Sequence, residues 1–72
     1  MRTSSVIASL EYNPASRTLE VEFHSGRMYQ YFGVPKSEYQ ALLKAPSLGG
    51  YFNREIKPRY RAKEIVRHKR SA

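Results

Sequence analysis

Residues 23–35 read Phe23-His24-Ser25-Gly26-Arg27-Met28-Tyr29-Gln30-Tyr31-Phe32-Gly33-Val34-Pro35, and the length of the turn near their start decides the fold. Strand-like stretches flank His24-Ser25-Gly26, so the segment closes a hairpin. A two-residue Ser-Gly turn would pair Phe23 with Met28 and set Tyr29 and Tyr31 on the side of Glu20 and Glu22. A three-residue turn with Gly26 as a left-handed bulge pairs Phe23 with Arg27, Val21 with Tyr29 and Leu19 with Tyr31. The second is preferred because it collects the large apolar side chains on one face, and a one-residue slip reverses every one of them. On a strand the two tyrosines leave the same face about 7 Å apart, close to the spacing of two stacked bases. Two uses of the pair stay open at this level: half-buried packing, common for alternate aromatics in a hairpin, and contact with a ligand.

Upstream, Ser5 to Tyr12 alternates, with Val6, Ala8, Leu10 and Tyr12 on one side and Ile7, Ser9 and Glu11 on the other, the pattern of a half-buried strand. Asn13-Pro14-Ala15-Ser16 has turn chemistry and leads into Thr18 to Phe23, where Leu19, Val21 and Phe23 point inward and Glu20 and Glu22 outward. Downstream, Gly33 ends the third strand and Pro35 opens a helix. Tyr39, Leu42 and Leu43 form its apolar stripe, Lys36, Glu38, Gln40 and Lys44 face water, and Pro46 stops it. Ser47 then caps a second short helix that runs through Tyr51, Phe52 and Ile56 to Pro58. Gly49 and Gly50 weaken that helix and require a reason, such as a close backbone approach. From Arg59 onward periodicity is compatible with strand or helix. The expected architecture is α+β, a three-stranded antiparallel meander packed by two short helices in the order βββαα.

The 72 residues carry 13 Lys/Arg against 6 Glu, for a net charge of +7. Residues 1–53 hold five Lys/Arg and four Glu (+1), and residues 54–72 hold eight and two (+6), so the basicity belongs to the C-terminal part. Such a block attracts polyanions by counterion release, which makes RNA or DNA the first partner to consider and an acidic protein the second; a solvated, solubilising face is the plain structural account. Residues 1–65 are expected to form one domain and residues 66–72 a basic, disordered tail. The chain contains no cysteine, which suits a reducing compartment and makes the cytoplasm the expected location. Val6-Ile7-Ala8 is too short an apolar run for membrane insertion.

The inventory argues against catalysis. Without Asp or Cys, and with His24 and His68 lying 44 residues apart, neither a Ser-His-Asp triad nor a thiol nucleophile can be built. No local spacing suggests a metal site, and no cofactor is expected. Glu20 and Glu22 are explained as the solvent side of an amphipathic strand, and Ser47-Leu48-Gly49-Gly50 lacks the Gly-Lys-Ser/Thr of a phosphate loop. Arg54, Lys57, Arg59, Arg61 and Lys63 surround Tyr60, and basic residues interleaved with an aromatic supply both halves of a single-strand binding groove, backbone attraction and base stacking. Together with Arg27, Tyr29 and Tyr31 these are the candidate nucleic-acid contacts.

Taken as an ordered set, Tyr29-Gln30-Tyr31-Phe32-Gly33-Val34-Pro35, the helix from Tyr39 to Ala45, Ser47-x-Gly49, Tyr51-Phe52-Asn53, Ile56-Lys57 and Tyr60-Arg61 resemble the KTSC domain over residues 4–65. That family is named for its place at the C-terminus of some lysyl-tRNA synthetases and also occurs as small stand-alone bacterial proteins. The resemblance implies the fold more firmly than the activity, and attachment to a tRNA-handling enzyme is consistent with an RNA-binding role; tRNA-like or single-stranded RNA is the expected ligand. Pro46 before the serine motif and the basic stretch from Val66 depart from the family pattern, so the charge of that stretch is not the family's. The expected function is a small non-catalytic RNA-binding module, monomeric or weakly dimeric. The competing expectation is a protein-interaction module that docks on an acidic partner or self-associates.

Overall fold

The computed structural model describes residues 6–65, and the turn after Phe23 holds three residues. The Phe23 N–H donates to the Arg27 carbonyl at 2.9 Å, the Gly26 N–H donates to the Phe23 carbonyl at 2.8 Å, and Gly26 lies at φ +97°. Glycine adopts that conformation without a Cβ penalty. Strands β2 (Thr18–Phe23) and β3 (Met28–Tyr31) consequently pair with Val21 opposite Tyr29 and Leu19 opposite Tyr31. This is the register that gathers the apolar side chains.

Strand β1 (Ile7–Asn13) pairs antiparallel with β2, with Leu10 opposite Val21 and Tyr12 opposite Leu19. The connecting turn is held by Asn13, whose Oδ1 accepts from the Ala15 N–H at 2.9 Å. A shift in register between Ile7 and Ser9 alters the expected alternation. Ile7 faces Phe23 and is buried, whereas Val6 is 43% exposed and Ala8 is exposed. A bulge adds one residue to one strand and so turns over the side chains that precede it, an effect that simple alternation does not anticipate.

The sheet has four strands, not three. Residues beyond Pro58, which periodicity left undecided, form β4 (Ala62–Ile65), antiparallel to β3 with Tyr29 opposite Glu64 and Tyr31 opposite Ala62. The order is β1-β2-β3-β4. Ala62, Lys63 and Glu64 are all exposed, so this edge strand lacks the apolar alternation that announces a strand; pairing with the open edge of β3 satisfies its backbone instead. Residues 66–72, expected to be a basic tail, lie outside the described residues.

Helix α1 (Lys36–Lys44) begins after Pro35, whose carbonyl accepts from the N–H groups of Glu38 and Tyr39, and ends before Pro46. Leu42 is fully buried and Tyr39 is half-buried, but Leu43 is 43% exposed and falls outside the core stripe. Helix α2 (Leu48–Tyr51) starts at Ser47, whose Oγ accepts from the Gly50 N–H at 3.1 Å. The Gly50 requirement follows from this cap, because a Cβ there would stand 2.9 Å from Ser47 Oγ. The chain then widens into a π-helical turn (Phe52–Ile56), in which the Lys57 N–H reaches the Phe52 carbonyl. Phe52 and Ile56 are both buried, leaving Asn53, Arg54 and Lys57 exposed.

Both helices and the π turn cover one face of the sheet. Phe52 meets Phe23 and Tyr31 edge-on at centroid distances of 5.7 and 5.2 Å, and Leu19, Val21, Val34, Leu42 and Ile56 complete the buried centre. At one end Tyr12 stacks on Tyr39 at 4.6 Å and donates its hydroxyl to the Val34 carbonyl at 2.6 Å, fastening α1 to β1.

Glu38, expected in water, instead joins the helical segments. Its side chain is only 13% exposed; Tyr51 donates to Oε2 at 2.7 Å, Tyr60 donates to Oε1 at 3.3 Å, and Arg59 Nη1 lies 3.8 Å away. The Tyr51 phenol is pushed up to about 12 by its bond to the Glu38 carboxylate, then by burial and by the nearby carboxylates of Glu38 and Glu55, with Arg59 opposing. Burial raises the Tyr60 phenol as well, and Glu38 adds to the effect.

Two stability measurements check these features. Gly26→Ala places a Cβ where nothing lies within 4 Å, yet at φ +97°; the cost is conformational, and urea unfolding should show a loss of about 1 kcal/mol. Glu38→Ala removes the acceptor of two phenols and the partner of Arg59, and should cost about 2 kcal/mol in the same assay. The Tyr51 pKa also sets a pH window. Because the folded value of about 12 exceeds the ordinary 10.0, the Tyr51–Glu38 contribution is complete below pH 10.0 and is lost as pH rises toward 12. Ring-carbon NMR shifts should show Tyr51 ionising late, and Glu38→Gln should bring that titration back toward the ordinary value.

Candidate nucleic-acid interface

The β2–β3 turn and the π-helical turn face each other across a groove of about 500 Å³ on the helix-bearing side of the sheet. Phe23, Tyr29 and Tyr31 supply its aromatic wall, Val6 adds an apolar side, and Arg27, Asn53 and Lys57 stand with His24 and Ser25 among its polar groups. Three elements build it. The bulged turn carries Arg27, strand β3 carries the tyrosines, and the wide π turn sets Asn53 and Lys57, four residues apart, on the same side. Such π-helical turns recur at functional sites because they redirect side chains without ending the helix.

Tyr29 and Tyr31 differ within this groove. Tyr31 is 3% exposed and is wedged against Phe52, and burial holds its phenol above the ordinary value, with Tyr29 adding to the effect. It is a core residue. Tyr29 is half-buried, meets Phe23 edge-on at 5.7 Å and lies tilted 6.4 Å from Tyr31. Its ring completes the core and borders the groove at once.

The basic candidates do not form one patch. Arg27 and Lys57 border the groove. Arg54 lies over the Tyr51 ring at 5.9 Å and 3.4 Å from Glu55. Arg59 is engaged by Glu38 and Glu55, and Tyr60 by Glu38, so both serve the helical joint. The Arg61 carbonyl accepts from the Phe32 N–H just before β4, and the Arg61 side chain is exposed. Lys63 pairs with Gln30 and therefore projects from the opposite side of the sheet to Tyr29. That opposite side is acidic: Glu11 faces Glu20 in register, with Glu22 two residues along β2.

Sequence reading did not single out Asn53, Phe23 or Glu64 as groove or rim residues. Asn53 and Phe23 come from separate turns, and only the tertiary fold brings them to one place. Glu64 reaches the site through β4, where it lies opposite Tyr29 with its Oε2 3.9 Å from Arg27 Nε. The single legible signal was the run Tyr51-Phe52-Asn53, which marked the segment without assigning it.

Comparisons with known proteins agree with this architecture. A family model described as the KTSC domain matches residues 3–60. The chain is 51% identical over 57 residues to an uncharacterized protein of Stutzerimonas stutzeri, covering 79% of this chain and 80% of that protein. It is 41% identical over 61 residues to a lysine–tRNA ligase of Nostoc punctiforme, where the match takes in 85% of this chain but 11% of the ligase's length. The crystal structure of a KTSC domain protein from Yersinia pestis superposes with a TM-score of 0.83 at 38% identity, covering 89% of this chain and 90% of that one. The chain belongs to the KTSC domain family.

Proposed function

We propose that the protein is a small, non-catalytic RNA-binding module of the cytoplasm that uses the helix-bearing side of its sheet. The observation that carries this reading is the convergence of Tyr29, Arg27 and Lys57 on one groove, while Glu11, Glu20 and Glu22 occupy the other side of the sheet. Aromatic rings beside cations are what single-stranded nucleic acid requires, and a row of carboxylates repels phosphate. Nucleic acid therefore approaches from the side of the groove. Similarity to part of a lysine–tRNA ligase adds support, since that enzyme handles an RNA. The cysteine-free sequence suits the reducing cytoplasm.

The proposed phosphate contacts are Arg27 and Lys57 at the groove and the exposed Arg54 and Arg61 outside it. Arg59 and Tyr60 support the fold through Glu38, and Lys63 faces the acidic side. About four neutralised phosphates give a log–log salt slope near −3 on single-stranded RNA. Fluorescence anisotropy across a salt series should return that slope. Lys57→Ala should lower its magnitude by about 0.7, whereas Lys63→Ala should leave it unchanged. A folded protein that binds no RNA at low salt overturns the proposal.

A further inference from the structure

We infer that the groove between the β2–β3 turn and the π-helical turn receives one unstacked nucleobase beside Tyr29, with the adjoining phosphate held by Lys57 and by Arg27 once Arg27 exchanges Glu64 for it. This rests on the RNA-binding reading and adds what the groove holds and what restrains it.

The groove's volume of about 500 Å³ lies within the range of small-ligand sites, far above what a phosphate alone requires. Its aromatic wall is not closed by self-stacking: Phe23 and Tyr29 meet at 77° and Tyr29 and Tyr31 at 38°. A planar base can therefore pack against Tyr29 without breaking a stacked pair. Among the described residues, the Asn53 amide makes no hydrogen bond and the Lys57 ammonium makes no ion pair. Asn53 thus offers both a donor and an acceptor to a base edge, and Lys57 offers a charge to phosphate.

Glu64 is the restraint. It lies opposite Tyr29 on β4, and its carboxylate is 3.9 Å from Arg27 Nε, with side chains 40% and 66% exposed. An exposed pair of this kind is weak, so phosphate can replace it. The cost to affinity is twofold: Arg27 must leave its partner, and a carboxylate stays beside the incoming anion.

The test compares a labelled hexa-adenylate with an oligomer of the same phosphate count lacking bases, both titrated at low salt against the full chain. The adenylate should bind about tenfold more tightly, as base–aromatic stacking implies. Tyr29→Leu, which keeps an apolar side chain but removes the ring, and Asn53→Ala, an exposed position, should each reduce that preference with the thermal midpoint retained. Where Tyr29→Leu lowers the midpoint, Asn53→Ala decides. Glu64→Gln should tighten adenylate binding about threefold or more, and Glu20→Gln, the same charge change on the other side of the sheet, should tighten it less. Equal affinity for the two oligomers overturns the base site while leaving RNA binding intact, and binding to neither overturns both. An equal gain from Glu20→Gln and Glu64→Gln removes the restraint assigned to Glu64.

Discussion

A count of three residues between Phe23 and Arg27 governs the molecule. Gly26 at φ +97° permits the bulged turn, the turn sets the β2–β3 register, and the register sends Tyr29 and Tyr31 to the same side as Val21 and Leu19. Had the turn one residue fewer, the tyrosines would join Glu20 and Glu22, and Phe52 would keep Phe23 but lose Tyr31 as an edge-on partner. Packing of the helical layer depends on that choice. Phe52, fully buried and edge-on to both Phe23 and Tyr31, is the wedge through which the π turn rests on the hairpin.

Small size makes the polar contacts between elements consequential. A domain of this length buries a modest share of its surface, and each helical segment is short. Glu38 compensates by accepting two phenolic hydroxyls and engaging Arg59, so that one carboxylate ties α1 to α2 and to the segment entering β4. Tyr12 does the same at the other end through Val34 and Tyr39. The tyrosines of this chain are therefore divided in labour. Tyr12, Tyr51 and Tyr60 join elements through their hydroxyls, Tyr31 fills the core, and Tyr29 is left at the border of the core and the groove.

That division explains how far the candidate site was legible. Strand alternation in Thr18 to Phe23, the turn chemistry at Asn13 and Ser25-Gly26, the Ser47 cap and the Pro46 stop are local signals, and each appears where those residues placed it. Arg27, Tyr29 and Lys57 were identified by residue type and do meet in one groove. Arg59 and Tyr60 were chosen by the same reasoning and serve a structural joint, because a basic or aromatic side chain in a charged run looks the same whether its partner is a ligand or Glu38. Lys63 leaves the sheet on the side away from Tyr29, and without β4 there was no way to know which side it would take.

The amino-acid sequence by itself determined the hairpin register, the limits of α1 and the Ser47 cap of α2, the concentration of charge after Asn53 and membership of the KTSC family, since these rest on turn conformation, periodicity and ordered motifs. Tertiary structure alone decided the fourth strand, the inversion of Ile7 by a bulge, the burial of Glu38 and the meeting of the β2–β3 turn with the π turn. Those features arise from backbone groups and side chains distant in the chain satisfying one another, and neither an exposed edge strand nor a polar residue carries a local mark of the partner it will find.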